Sequence, residues 1–502
     1  MAQADLPRPD HLRPPGRGPA RSEGSAGWLA AVTRIKPMQV IMRQADDADR
    51  RLERSMGTLS LTAFGVAAIV GAGIFVLTGV AAAKYGGPGI ILSYVGAGIT
   101  SALAALCYAE LASSVPIAGS AYTYSYAVLG ELIAWIIGWD LILEYGVGAA
   151  AVGSGWSGYF ADFLKSTFGW AIPKNLTATP FAGGIVDLPA FLIILLITAL
   201  LILGTSQSSR IANVMVAIKL AIIAFFIVVG AFHVHPANWH PFLPFGLGGA
   251  LTGASVIFFA YIGFDQISTA AEEVKDPDRT MPRGIIFSLV ICTALYLLVA
   301  GVLTGMVPYT RLNNSSPVSH AMLQIGLNWA ATIISIGAII GLTTVLLVLI
   351  FGQARIFFSM ARDGLLPEVF SRVHASFRTP YISTLLVGLV VAGLAGFIPI
   401  DTLAELTNIG TLTAFALVAI AVWRLRYTQP DLERGFRVPH VGLIAPLAIV
   451  ASVALIVSLP HATWLRFAIW LAVGLVIYFL YSRRKSNLEP VAGEAVSRYP
   501  SR

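Results

Sequence analysis

FGVAAIVGAGIF, residues Phe64 to Phe75, lies inside the first long apolar run of the chain and places Gly71 and Gly73 one residue apart near its middle. Glycine lets a helical backbone unwind there. About 190 residues later a second run carries its own candidate break, FAYIGFD from Phe259 to Asp265; paired interruptions in the first helix of each half point to a five-plus-five inverted repeat with a midplane site. The competing reading is that these glycines only let helices pack closely, as small residues do in membranes.

An unwound stretch frees amides at the start of one half-helix and carbonyls at the end of another. A zwitterion suits both. Its carboxylate is expected on the amides around Gly71, Ala72, Gly73 and Ile74, which follow Ile69 and Val70, and its ammonium on carbonyls around Phe259, Ala260 and Ile262.

Composition sets the solvent. The 502 residues are 56% hydrophobic and 12% charged, with a mean hydropathy of +0.77, whereas soluble domains carry roughly a quarter of their residues as charges. Runs of about eighteen or more nearly uncharged residues recur from Leu59 to Tyr481, each long enough to cross the hydrocarbon as a helix. A closed barrel would instead show short alternating segments. Cys107 and Cys292 fall inside apolar runs, which suggests neither a disulfide framework nor a thiolate metal site. The net charge of +7 is read as topology rather than as affinity for nucleic acid.

The fold class expected is therefore an all-α integral membrane protein of about twelve transmembrane helices, with the first and sixth discontinuous and two helices added after the repeats. The expected divisions are a tail over 1–57, a first repeat over 58–234, a second over 247–426, the last two helices over 440–482 and a tail over 483–502. Within the first tail, Trp28 to Met42 reads as an interfacial segment and Asp46 to Met56 as a helix on the membrane surface. With both termini placed in the cytoplasm of a cell membrane, the outward loops hold only about five basic residues, Lys84, Lys165, Lys174, Arg311 and Arg466, as the positive-inside rule favours.

Charges inside the apolar runs are costly and mark pathways. Lys219 lies roughly 13 Å into its helix from Arg210, too deep to snorkel easily. Two readings stay open for it: a proton-coupling group whose charge responds to the state of the transporter, or a permanent ion pair with an acid such as Glu144 or Asp140. Asp140 and Glu144, four apart, share a helical face. Asp265 directly follows the second break, and all three acids are candidates for substrate contact or for helix-to-helix hydrogen bonding. Thr402 to Glu405 has capping-box spacing, Glu110 is expected to brace a helix end, and His233, His235 and His240 form no clear metal frame. Motifs for a phosphate loop, a nucleophile elbow or a zinc protease are missing, so no enzyme, metal or cofactor is expected.

Five ordered motifs resemble the amino acid, polyamine and organocation superfamily, specifically its cationic amino acid transporter branch. They are GAGIFVLTG (Gly71 to Gly79), YAELASSVPIAGSAYTYSY (Tyr108 to Tyr126), GWDLILEY (Gly138 to Tyr145), FFAYIGFD (Phe258 to Asp265) and EEVKDPDRTMPRGI (Glu272 to Ile285). The resemblance implies the inverted-repeat fold of sodium-coupled leucine transporters and a pocket between helices one, three, six and eight. It implies that Lys219 stands where a sodium ion binds in those relatives and takes part in proton coupling. It also implies that Leu346, which follows Thr343-Thr344-Val345, lines the side-chain end of the pocket and favours small neutral substrates, with cationic ones able to pair with the acids. The function expected is secondary transport of L-amino acids, small neutral or cationic, by proton symport. An exchanger or facilitator is the alternative, and a sensor with little flux a more distant one.

Overall fold

A computed structural model describes residues 34–35, 56–114, 120–204, 209–374, 376–377 and 379–487 of the chain. Apart from Arg34, Ile35 and Met56, the two expected features of the first tail lie outside the described residues.

Among the described residues the architecture is helical, with two isolated bridges and no strand. Thirteen of its helices are labelled here. They are α1 (Thr58–Ile69), α2 (Ile90–Ser114), α3 (Glu131–Leu141), α4 (Gly148–Phe168), α5 (Leu188–Leu203), α6 (Ser209–Ala231) and α7 (Gly246–Ile257), then α8 (Pro277–Met306), α9 (Asn328–Arg362), α10 (Tyr381–Phe397), α11 (Ile400–Thr428), α12 (Val441–Val457) and α13 (His461–Ile477). Eight helical stretches are long and apolar enough to cross a membrane, and four shorter apolar helices accompany them: α1, α5, α10 and α12. The shortness of α1 has a local cause, because the run that begins at Thr58 is interrupted after Ile69.

α8 packs along α1 and α2, α2 along α7, α4 along α9, α5 along α10, and α12 leans on α11. Small residues permit the close crossings, as membrane helices require. A Cβ on Gly388 of α10 would overlap Thr198 of α5, and one on Gly284 of α8 would come within 2.7 Å of Leu61 of α1. Outward faces carry Leu196, Leu389, Val450 and Leu465, large apolar side chains left exposed on the bundle, which hydrocarbon covers at no cost.

One local expectation fails. α11 begins at Ile400 behind Pro399, with no side-chain cap, so Thr402 is inside the helix rather than at its cap. Proline favours the first turn, and it starts the helix before the capping-box residues are reached. Glu405 instead accepts a hydrogen bond from Thr463 Oγ1 at 2.6 Å, tying α11 to α13.

Candidate substrate site between two broken helices

α1 stops because Val70 leaves the helical region (φ −75°, ψ 99°). The chain then re-forms as a π turn over Gly73–Leu77. In the facing segment, α7 tightens into a 3-10 turn over Phe258–Tyr261, Ile262 is extended (φ −62°, ψ 138°), and a further 3-10 stretch runs over Asp265–Glu273. Gly263 has φ +118°, a backbone conformation that glycine alone adopts without strain. The two breaks touch each other. A Cβ on Gly73 would overlap the Cα of Ala260, and one on Gly263 would lie 2.8 Å from the carbonyl oxygen of Ala68. Glycine is thus needed at both places for close approach.

Breaking a helix in the bundle interior leaves polar main-chain groups that must find partners. Several of the freed carbonyls are taken by side chains of neighbouring helices. Lys219 of α6, fully buried, donates from Nζ to Ala67 O at 2.9 Å and Val70 O at 2.8 Å. Tyr296 of α8 places its hydroxyl 3.0 Å from Ile69 O and 2.7 Å from Ala260 O, one oxygen from each break. Tyr159 donates to Phe75 O at 2.6 Å, and Asn408 donates to Ser255 O and Val256 O, both at 2.8 Å. The amides of Gly71 and Ala72 carry no backbone hydrogen bond among the described residues.

A cavity lies between the breaks. The broken segments contribute Ala68, Ile69, Gly71, Ala72, Gly73, Phe259, Ile262 and Gln266; Glu144, Gly148 and Val152 face them from α3–α4, Val345 and Leu349 from α9, and Thr407 from α11. Its volume is about 20 Å³. That is room for a water molecule rather than for an amino acid. The helices stand contracted around the site.

Of the residues singled out from the sequence, Ile69, Gly71, Ala72, Gly73, Phe259, Ile262 and Glu144 line this cavity. Val70, Ile74, Ala260, Asp140, Asp265 and Leu346 are buried nearby but outside its lining. Ile74 turns toward a second, wholly apolar cavity with Phe75, Ile222 and Ile334. Asp265 accepts from Gly263 N at 3.2 Å and Tyr145 Oη at 3.5 Å. Glu144, 1% exposed, has the carboxyl of Asp265 and the hydroxyl of Thr411 as its polar neighbours, with no ion pair among the described residues.

Asp140 and Glu144 are neighbours, yet Glu144 lines the cavity and Asp140 does not. A π turn that holds Glu144 occupies Ile142–Val147, between α3 and α4. On α9 the cavity takes Val345 and Leu349, which share a face at i and i+4, and Leu346 points elsewhere. That periodicity was available from the sequence, as was the Glu144, Gly148, Val152 series. Thr407 carried no local signal, since its place depends on α11 crossing behind α3.

Residues 56–480 match the family model described as "Amino acid permease". The chain belongs to the amino acid permease family. The permease is 49% identical over 462 residues to the methylthioribose transporter of Bacillus subtilis (strain 168), covering 92% of this chain and 100% of the relative. It is also 49% identical over 463 residues to the branched-chain amino acid permease BcaP of the same organism, covering 91% and 99%. Against the vacuolar cationic amino acid transporter 4 of Arabidopsis thaliana the identity is 40% over 409 residues, with 80% and 68% covered. These relatives are named as transporters and permeases, not as enzymes.

Two charged centres of the permease have contrasting partners. Lys219 has main-chain carbonyls as its partners, and among the described residues no carboxylate lies within ion-pair distance of it. Glu110, at the end of α2, takes Arg426 in a two-pronged ion pair with both bonds at 2.7 Å, with Arg434 Nε 3.1 Å away and Val438 N donating at 2.7 Å.

Proposed function

We propose that this permease carries L-amino acids across a cell membrane by proton-coupled symport. The observation that carries the reading is the facing pair of main-chain breaks around one small cavity, with uncommitted amides at Gly71 and Ala72. Amides at the start of a half-helix attract a carboxylate. The ammonium end then faces the carbonyls of the Phe259–Ile262 segment, of which Ala260 O is already shared with Tyr296. Val152, Val345 and Leu349 supply an apolar wall, which suits small and branched aliphatic side chains, and the resemblance to BcaP supports the same class.

In this reading the chain is organised as twelve spans, a five-plus-five inverted repeat and two further helices, with both termini in the cytoplasm. The contracted cavity admits substrate only when helix groups move apart, so transport proceeds by alternating access. α1, α2, α7 and α8 rock against the elements that include α3–α4 and α9. Lys219 links proton binding to that motion, because it grips the carbonyl end of α1, where a positive charge is favoured by the helix dipole.

The test is uptake into proteoliposomes, with a panel of labelled amino acids and an imposed proton gradient. Acidic outside pH is expected to raise uptake of aliphatic amino acids, and Lys219→Ala to abolish that dependence. Equal uptake with and without the gradient defeats the coupling and favours exchange. Methylthioribose belongs in the panel because the chain resembles its transporter as strongly as it resembles BcaP; uptake of it alone overturns the amino acid assignment.

A further inference from the structure

At the arginine-rich end of the bundle, one buried carboxylate collects three hydroxyl donors from two separate stretches of chain. Glu131, 0% exposed at the start of α3, accepts from Tyr126 Oη at 3.0 Å, Tyr478 Oη at 3.1 Å and Ser486 Oγ at 2.5 Å. Its own amide donates to Arg34 O at 2.8 Å, so the N-terminal stretch is tied in as well.

The segment after α13 continues as a strap. Ser482 Oγ donates to Leu365 O at 2.6 Å, Asn487 Nδ2 to Arg362 O at 2.8 Å and Asn487 N to Asp363 O at 3.0 Å. The strap therefore joins the first turn of α3 to the loop that follows α9.

Between those two anchor points sits the short helix Ser120–Val128, and it is held by both. Tyr126 grips Glu131, and Tyr122 donates to Asp363 Oδ2 at 2.8 Å. The same short helix packs on the Asp265–Glu273 stretch, the continuation of the second helix break. A rigid connection thus runs from the C-terminal segment through Glu131 and the short helix to the broken element beside the site.

We infer that Tyr478–Asn487 is a latch which restrains the Ser120–Val128 helix, and through it the Asp265–Glu273 segment, so that releasing the strap frees the adjoining mouth of the site. The bonds that restrain it include hydroxyl-to-carboxylate bonds and main-chain contacts. Nothing in it touches substrate, so it sets the rate of opening rather than the chemistry of recognition.

The experiment is hydrogen–deuterium exchange on the full-length protein in lipid nanodiscs, with Ser486→Ala and the double variant Tyr478→Phe with Ser486→Ala. Each hydroxyl lost is expected to speed exchange of Ser120–Val128 and Asp265–Glu273 by about fivefold, the factor of one ordinary hydrogen bond, while α5 and α10 stay unchanged. Unaltered exchange in the short helix overturns the latch. Faster exchange there with Asp265–Glu273 unchanged overturns its link to the site. Glu131→Gln serves as the second probe, since the amide retains an acceptor and the fold while weakening all three bonds. These measurements need neither substrate nor gradient, so they stand or fall apart from the transport assignment. Counterflow turnover, which rests on that assignment, should change in the same variants that loosen the short helix.

Discussion

Glu110 and Glu144 are both buried glutamates on helices of one bundle, 0% and 1% exposed, and their surroundings are opposite. Glu110 is saturated, with Arg426 on both carboxyl oxygens and a backbone amide added. Glu144 looks into a small cavity with no ion pair among the described residues, its polar neighbours being Asp265 and Thr411. Burial of a charge is tolerated when paired and is costly when it is not. A carboxylate saturated by arginines reads as structural; we propose that one without a cation beside a cavity serves a ligand instead.

The largest test of this contrast compares Glu110→Ala with Glu144→Gln. Removing Glu110 strands Arg426 and Arg434 and should destabilise the protein by about 3–5 kcal/mol, read as a lower melting temperature in detergent. Glu144→Gln should leave stability within about 1 kcal/mol of wild type, because no ion pair is lost, while transport falls. Equal destabilisation by both changes breaks the comparison.

Gly73→Ala comes next. Its added methyl meets Ala260 across the two breaks, and overpacking of this kind costs about 1–3 kcal/mol. Loss of substrate binding beyond the loss of stability, measured by ligand-induced thermal shift, shows that the touching breaks are the site. Val345→Ala, on the wall opposite the first break, should change the preference between valine and a larger aliphatic substrate by roughly tenfold, the scale of one or two methylenes in an apolar pocket. Competition uptake reads it.

The smallest effect belongs to Lys84→Ala. Lys84 and Asp401 pair at 2.7 Å, but their side chains remain 35% and 30% exposed, and pairs open to solvent contribute about 0–1 kcal/mol. A melting temperature close to wild type places this acid, paired yet wet, at the weak end of the series that Glu110 heads.

Part of the candidate site was legible in advance because its signals are local. Gly71, Gly73 and Gly263 announce main-chain freedom wherever they occur in an apolar run. Glu144 announces itself by being ionisable where hydrocarbon is expected. The π turn at Ile142–Val147 was not legible, because nothing in the spacing of Asp140 and Glu144 announces it. Thr407 and Gln266 entered the lining through crossings of distant helices, where no short-range pattern reaches.

Taken by itself, the order of residues determined that this chain lives in a bilayer, that its apolar runs are helices, and where the main chain can part. Those outcomes depend on run length against hydrocarbon thickness and on glycine's missing side chain, both properties of neighbours in sequence. Only the tertiary structure decided who receives the freed carbonyls. Lys219 reaches Ala67 across 152 positions and Tyr296 reaches Ile69 across 227, and a hydrogen bond forms only where packing brings donor and acceptor within about 3 Å.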